Sequence, residues 1–429
     1  MSIITDINLE KQNFHWREGF SYNFPIKREL FSRAAKEIES KQIVSITGLR
    51  RTGKSTILKQ LIDKLIESGT NRGHILLFSF DESQPKIEDI IKEHEKRLGK
   101  EFLKINEKIY IFFDEIQKLE DWQNQVKFFY DNYSNIKFFV SGSASLFIKK
   151  HAKESLAGRI YELVLEPLSF SEFLVFRGKE SLLEKPQMSE EQLKNEFSAY
   201  LKRQFIEIVN ESEEKCGEYI KSILEKVIYQ DIPKVFPIEN EELLMRIIRI
   251  VASQPGMLSD YEALSKELGI NRITLSNYFF YLEESFLLKR LYNFSKNMLT
   301  SEKKMKKIYL SASFFAFLCN ETDETKIAEN IFAALLKSKF FWRSPQKHEV
   351  DIVMAGGEKI IPVEIKYKEN VSKKDMHGLL HFCKKFGARN AVLVTKNAEG
   401  KEELFTGGEK ISVALVPAWK FALQPTAYF

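Results

Sequence analysis

One octapeptide constrains this chain more than any other stretch: Gly48-Leu49-Arg50-Arg51-Thr52-Gly53-Lys54-Ser55. It follows the apolar run Ile43-Val44-Ser45-Ile46 and precedes the helix-prone Thr56-Ile57-Leu58-Lys59-Gln60-Leu61, so a G-x-x-x-x-G-K-S loop joins an expected strand to an expected helix. Glycines let backbone N–H groups curl around a phosphate, and the helix N-terminus adds unsatisfied donors and a partial positive charge. Lys54 has the reach for β- and γ-phosphates. The Ser55 hydroxyl suits Mg2+, a hard cation that prefers oxygen ligands. The expected nucleotide-binding set is Gly48, Arg51, Thr52, Gly53, Lys54, Ser55 and Thr56, with Arg51 structural rather than catalytic.

At 429 residues the chain is too long for one ordinary core, and roughly two to four domains are expected. The formal charge of +5 is nearly balanced, which is compatible with nucleic-acid binding without arguing for it, because local clustering carries that information. Cys216, Cys319 and Cys383 are far apart and lack ligand-spaced neighbours, so neither a disulfide framework nor a zinc site is expected. The longest uncharged stretch, Ile308 to Asn320, falls short of the roughly 18 to 20 residues that span a bilayer. Asp6, Glu10 and Lys11 interrupt the N-terminus, which does not read as a signal peptide. The expectation is a soluble cytoplasmic protein with no membrane partner.

Phe14-His15-Trp16 reads as a packing contact, and Leu30, Phe31, Ala34, Ala35 and Ile38 carry helical spacing. His74 to Phe80 reads as a buried strand. Ile109 to Phe113 reads as another, ending in Asp114-Glu115, so that two carboxylates stand at its C-terminal edge. In this Walker B pattern Asp114 holds Mg2+ through its water shell and Glu115 polarises the attacking water. The next strand, Ile136 to Val140, runs into Ser141-Gly142-Ser143-Ala144-Ser145, where the hydroxyls sense the γ-phosphate or form a plain turn; both readings stand. A fifth strand is expected over Tyr161 to Leu165. Five strands alternating with helices give an α/β fold with a mostly parallel, doubly wound sheet.

The series GLRRTGKS, FFDEIQ, VSGSAS, SLAGR and EPLSFSEF resembles the prokaryotic AAA-superfamily P-loop ATPases that carry a C-terminal domain of unknown function. The resemblance implies a sheet of the additional-strand type over residues 1–180, with Glu115 as catalytic carboxylate and Ser143 near a sensor position. It also implies Arg159 as a candidate arginine finger, which acts in trans only in an oligomer. The implied catalytic set is Glu115, Lys54, Arg159 and Ser143; the metal ligands are Ser55 and Asp114; the cofactors are ATP and Mg2+. The lack of a guanine-reading N-K-x-D motif favours ATP.

Residues 181–240 read as a helical linker or lid. Residues 241–295 read as a winged helix: helices over Leu244 to Val251, Tyr261 to Leu268 and Thr274 to Glu284, then a wing strand in Phe286 to Leu291. Arg272, Thr274, Ser276 and Asn277 are candidate DNA contacts, against an interdomain packing role for the same helix. The run Lys303-Lys304-Met305-Lys306-Lys307 reads as a solvated charged segment unless it lines the same face as the winged helix.

Residues 296–429 carry a second constellation. Glu329 lies in a helix expected from Ile327 to Lys337, Asp351 in a strand from His348 to Val353, and Glu364 and Lys366 on one face of a strand from Ile361 to Lys366. Two carboxylates and an ammonium are what metal-dependent phosphodiester cleavage needs. With the following helix (Lys373 to Phe386) and strands (Asn390 to Thr395, Ile411 to Val416), the order is similar to the PD-(D/E)XK, restriction-endonuclease-like fold, and Glu329, Asp351, Glu364 and Lys366 match its four positions. A solvated acidic hairpin is the competing reading. Two functions follow: an ATPase that acts on DNA through winged-helix and nuclease-like modules, or an ATP-dependent signalling or protein-assembly switch whose nuclease-like module only docks. The expected partners are accordingly ATP, DNA or protein, and a homo-oligomer is compatible with either.

Overall fold

The computed structural model describes residues 7–143, 155–312, 323–336, 338–356, 359–406 and 408–428. Asp6, Ala144, Ser145, Cys319, Asn320 and Lys337, named above, lie outside them. Contacts divide the chain into two compact units, residues 1–166 and 167–429.

The first unit is an all-parallel sheet. Its strands are β1 (Ile43–Thr47), β2 (Ile75–Ser79), β3 (Ile109–Asp114), β4 (Ile136–Gly142) and β5 (Ile160–Val164), in the spatial order β2-β3-β4-β1-β5. Every residue of β1, β3 and β4 is buried, as expected of strands covered on both faces. Alternation sorts them. Ile109, Ile111 and Phe113 join Phe138 and Val140 in a core shared with the helices α3 (Ile87–Leu98) and α4 (Trp122–Asn132). Tyr110, Phe112 and Phe139 face the other way, against α1 (Glu29–Lys36) and α2 (Lys54–Glu67). The sheet is therefore doubly wound, as its sequence pattern implies. His15 is packing, as expected: its buried ring contacts the Ile75 carbonyl and the Tyr22 hydroxyl, and burial pushes it down to about 4.

The second unit holds a nine-stranded, mostly antiparallel sheet. Helices come first, including Phe170–Phe176, Glu190–Tyr200 and Glu213–Lys226, and then α5 (Glu241–Ser253). Next come β6 (Met257–Leu258), α6 (Tyr261–Leu268), α7 (Arg272–Glu284), β7 (Leu288–Asn293) and β8 (Lys307–Leu310). Helix α7 begins two residues earlier than expected because Asn271, not a residue nearer Thr274, caps it by accepting from the Ile273 amide. The strand β8 pairs antiparallel with both β6 and β7.

A helix over Met298–Lys303 lies between β7 and β8, and after β8 come α8 (Glu324–Leu335), β9 (Phe340–Arg343), β10 (Glu349–Gly356), β11 (Lys359–Lys366), α9 (His377–Phe386), β12 (Asn390–Thr395), β13 (Gly400–Thr406), β14 (Glu409–Pro417) and a last helix over Ala418–Leu423. Of these, β13 has no counterpart in the sequence reading. The two halves of the unit share one sheet: β7 runs parallel to β9, with Tyr292 opposite Phe340 and Asn293 opposite Phe341. That junction places β8 in the same sheet as the acidic strands, with β7 and β9 between it and β10.

Candidate functional site

In a parallel sheet the strand C-termini share one edge, and here Thr47, Asp114 and Gly142 all end there. The loop after β1 is shaped by sterics. Gly48 sits at φ +149, and a Cβ on it would lie 2.3 Å from the Leu165 carbonyl oxygen, so no side chain fits. Gly53, at φ +98, turns the chain into α2. Arg51 also adopts a left-handed φ of 63, a strained conformation for a non-glycine residue. This supports a structural part for Arg51 within the loop.

Lys54 is the first residue of α2 and is buried. Its Nζ donates to the carbonyls of Gly48 and Leu49 at 3.1 and 3.0 Å. Ser55 and Thr56 follow in the first helical turn, where backbone donors lack intrahelical partners. The Thr52 hydroxyl donates to the Leu49 carbonyl at 2.9 Å. The loop has a further brace: the buried Arg28 guanidinium donates to the Thr52 carbonyl at 2.7 Å and to the Glu166 carbonyl at 2.8 Å. Sequence reasoning missed Arg28. Its partners are 24 and 138 residues away, and nothing local marks it.

Asp114 ends β3 and accepts a short hydrogen bond from the Ser141 hydroxyl of β4. Glu115 follows in a left-handed conformation (φ 53), which turns its carboxylate out of the strand. Gln117 Nε2 then donates to Glu115 at 2.7 Å and to the Ser143 hydroxyl at 3.2 Å, so one amide links the two sequence-identified side chains. Gln117 was quoted within FFDEIQ and given no role. Burial pushes the Glu115 carboxyl above its usual range; Lys54 opposes the shift and Asp114 adds to it. Oxygen donors from Ser55 and Asp114, beside an ammonium and a glycine-shaped loop, fit a Mg2+-bound triphosphate.

Arg159 is not brought to this edge. It immediately precedes β5, its carbonyl accepts from Ile43 at the start of β1, and its guanidinium makes a two-point contact with Asp131 of α4 at 2.9 and 3.2 Å. The length of β1, about 13 Å at ~3.3 Å per residue, separates it from the loop of its own chain. Its guanidinium is thus engaged away from the loop edge of its own chain.

In the second unit Glu329 and Asp351 converge on another residue, and Glu364 and Lys366 pair with each other. Lys307 of β8, expected to be solvated, is only 2% exposed. Its Nζ lies 2.8 Å from Glu329, 2.7 Å from Glu349 and 3.1 Å from Asp351. Tyr309, two residues on and thus on the same face, donates to Glu329 Oε1 at 2.6 Å, and Lys326 reaches Glu329 Oε2 at 3.1 Å. Asp351 Oδ2 accepts from the Ile365 amide at 3.0 Å, and Lys366 pairs with Glu364 at 2.5 Å. Gly256 closes the cluster: a Cβ there would meet Glu329 Oε1 at 2.8 Å. Burial alone would raise Glu329, yet Lys307, Lys326 and the Tyr309 hydroxyl outweigh it and hold the carboxyl down to about 2. Burial, with Asp351 adding to it, pushes Glu364 up to about 8. A lysine-x-tyrosine alternation entering an otherwise apolar strand is the signal that marks this face, and the preceding lysines mask it.

The rest of the basic run behaves differently. Lys303, Lys304 and Lys306 line a groove of about 590 Å³ together with Arg272, Ser276 and Asn277 of α7 and the carboxylates of Asp260, Glu262 and Glu302; Thr274 is half-buried and stands outside it. Lys304 also lines a second groove of about 550 Å³, with Arg343, Lys347 and Lys385. Burial and then the neighbouring Lys385 push the Lys304 ammonium below its ordinary value.

Comparison with known proteins fits this division. Residues 40–174 match the AAA domain family, residues 189–318 a domain of unknown function (DUF8612) and residues 323–415 another (DUF4143). The N-terminal unit thus carries the AAA-domain match on a five-stranded parallel sheet that resembles those of P-loop ATPases. The chain is 27% identical over 413 residues to the uncharacterized protein MJ1544 of Methanocaldococcus jannaschii, covering 90% of each. It is also 27% identical over 250 residues to an uncharacterized protein of Haemophilus influenzae, covering 56% of this chain and 60% of that one. Among solved structures, the Walker-type ATPase PABY2304 of Pyrococcus abyssi is similar at 16% identity and TM-score 0.44, over 72% of this chain and all of that one. No described helix is long and apolar enough to cross a membrane.

Proposed function

We propose that the protein binds and hydrolyses Mg2+-ATP at the loop edge of its first unit and binds DNA through the basic grooves of its second. The convergence of Lys54, Asp114, Glu115 and Ser143 at one sheet edge supports the ATPase reading. When bound, the metal would neutralise phosphate charge; Ser55 and, through its water shell, Asp114 would hold it. Lys54 exchanges two loop carbonyls for phosphate oxygens, which offer it full negative charge. Glu115, oriented by Gln117 and raised by burial, accepts a proton from the attacking water. Ser143, on the same amide, reports the γ-phosphate. Arg159 serves as a finger only for a neighbouring subunit, after releasing Asp131.

For DNA the carrying observation is the shared groove. The lysines after α7 line the same face as Arg272, Ser276 and Asn277, with the topology of three helices followed by an antiparallel hairpin. Lys304 is crowded by another cation and has no carboxylate partner among the described residues, the electrostatics of a surface that takes an anion. A second reading, a protein-docking switch, draws on the exposed apolar side chains Ile273, Leu299 and Met305, at 69, 72 and 50%. Fluorescence anisotropy with duplex and single-stranded DNA across a salt series, with and without ATP, tests the choice. Salt-steep binding supports the DNA reading. Binding that is absent or salt-independent supports the docking reading.

A further inference from the structure

Two of the four nuclease-like positions, Glu329 and Asp351, meet around a cation the protein supplies itself, while Glu364 and Lys366 pair with each other. The ammonium of Lys307 has three N–H donors, and three carboxylates, from Glu329, Glu349 and Asp351, surround it at 2.7–3.1 Å. Their other oxygens are also committed, Glu329 Oε2 to Lys326 and Asp351 Oδ2 to the Ile365 amide, and Tyr309 shares Glu329 Oε1 with Lys307; beside them Glu364 Oε2 is buried without a hydrogen-bond partner among the described residues. A divalent metal held by Asp351 with Glu329 or Glu364 must draw the Asp351 oxygen that Lys307 already engages to about 2.0–2.1 Å for Mg2+. The oxygens already converge on Nζ, so metal and ammonium compete for one position. A doubly charged ion placed there would also lie against a buried positive charge. The residues therefore do not fit a bound metal while Lys307 is in place.

We propose that the Lys307 ammonium is the resident cation of this acidic cluster, standing where a divalent metal would sit, so that the C-terminal unit does not cleave phosphodiesters by a metal-dependent route. The position of Lys307 explains how this arises. It lies on β8, a strand of the hairpin region, which reaches the acidic strands through the β7–β9 pairing. The cluster thus serves as a lock between the hairpin and the rest of the sheet. Whether the basic grooves bind DNA or protein, this assignment is unchanged.

The test is made on full-length, nucleotide-free protein. Mn2+ binding is read by electron paramagnetic resonance, comparing the parent with Asp351→Asn, and Mn2+-dependent plasmid cleavage is read on the same pair. The expected result is that the two proteins bind the same number of Mn2+ ions and that neither cuts. A parent that binds an additional Mn2+, or cleaves, in a manner lost in Asp351→Asn overturns the proposal. Lys307→Ala is the gain-of-site arm: if folded by circular dichroism, it is expected to bind an additional Mn2+ per chain that Lys307→Ala with Asp351→Asn no longer binds. A folded Lys307→Ala with no additional Mn2+ also overturns it. If that variant does not fold, the parent pair alone decides.

Discussion

Two buried lysines divide the work of this molecule. Lys54 is held by two neutral backbone carbonyls at 3.0–3.1 Å, within six residues of itself. Lys307 is held by three carboxylates from β10 and α8. Both ammoniums are buried and satisfied, yet only one is exchangeable. A phosphate offers Lys54 more than a carbonyl does, whereas no ligand offers Lys307 more than three carboxylates in a dry site. Burial of a charged group does not by itself mark a working site; the charge of its partners decides whether it is poised or locked.

The sharpest way to break this contrast is to delete each ammonium. Lys307→Met leaves buried carboxylates uncompensated and is expected to destabilise the second unit by about 3–5 kcal/mol. Lys54→Met forfeits hydrogen bonds to neutral acceptors, at about 1–2 kcal/mol, and abolishes nucleotide binding. Urea unfolding of both variants beside the parent, with nucleotide binding by calorimetry, measures the difference. Equal stability losses would dissolve the distinction. At the poised site, Glu115→Gln should keep nucleotide affinity and lower hydrolysis by about a hundredfold or more, read as steady-state phosphate release. Gln117→Ala should follow in the same direction with a smaller loss, since it only orients Glu115 and Ser143.

The poised site was far more legible in the sequence than the locked one, and the reason is range. The loop, its strand and its helix are contiguous, and Asp114-Glu115 ends a strand whose apolar body is unmistakable. Five parallel strands follow from alternation of apolar runs with helical spacing. Lys307, by contrast, belongs to a run of lysines that reads as solvated, and its partners Glu329 and Asp351 lie 22 and 44 residues downstream. Only the β7–β9 pairing reveals that this end of the run turns inward. Arg159 could be named from its motif, but neither the sheet edge it occupies nor its pairing with Asp131 was visible. Residue type and spacing disclose chemistry built from neighbours; they do not disclose which distant charges will meet.

The locked cluster has a signature in pH. Glu329, held at about 2 against an ordinary 4.5, contributes stability that is present above about pH 4.5 and lost as pH falls toward 2. Glu364 works in the opposite sense. Raised to about 8, it must ionise in a buried site, so stability declines as pH rises from about 4.5 to about 8. The second unit is therefore expected to be most resistant to urea near pH 4.5–5 and to weaken toward pH 8. Glu364→Gln should flatten the alkaline decline and leave the acid limb. An unfolding midpoint that rises between pH 5 and 8 would remove Glu364 as a buried neutral acid.

A third lysine completes the series and gives its smallest expected effect. Lys304 has neither carbonyl nor carboxylate partners among the described residues, and Lys385 presses a like charge on it from across a groove. With no internal bond to lose, Lys304→Ala should leave stability within about 0.5 kcal/mol of the parent. If the groove holds DNA, the same change should lower the dependence of log affinity on log salt by about 0.9, one phosphate contact. Sequence preference should not move, because a phosphate contact carries no base information. Anisotropy titrations between low and physiological salt resolve a change of that size. An unchanged slope would show that this lysine meets no phosphate, and would shift weight to Ile273, Leu299 and Met305 as the surface a protein partner covers.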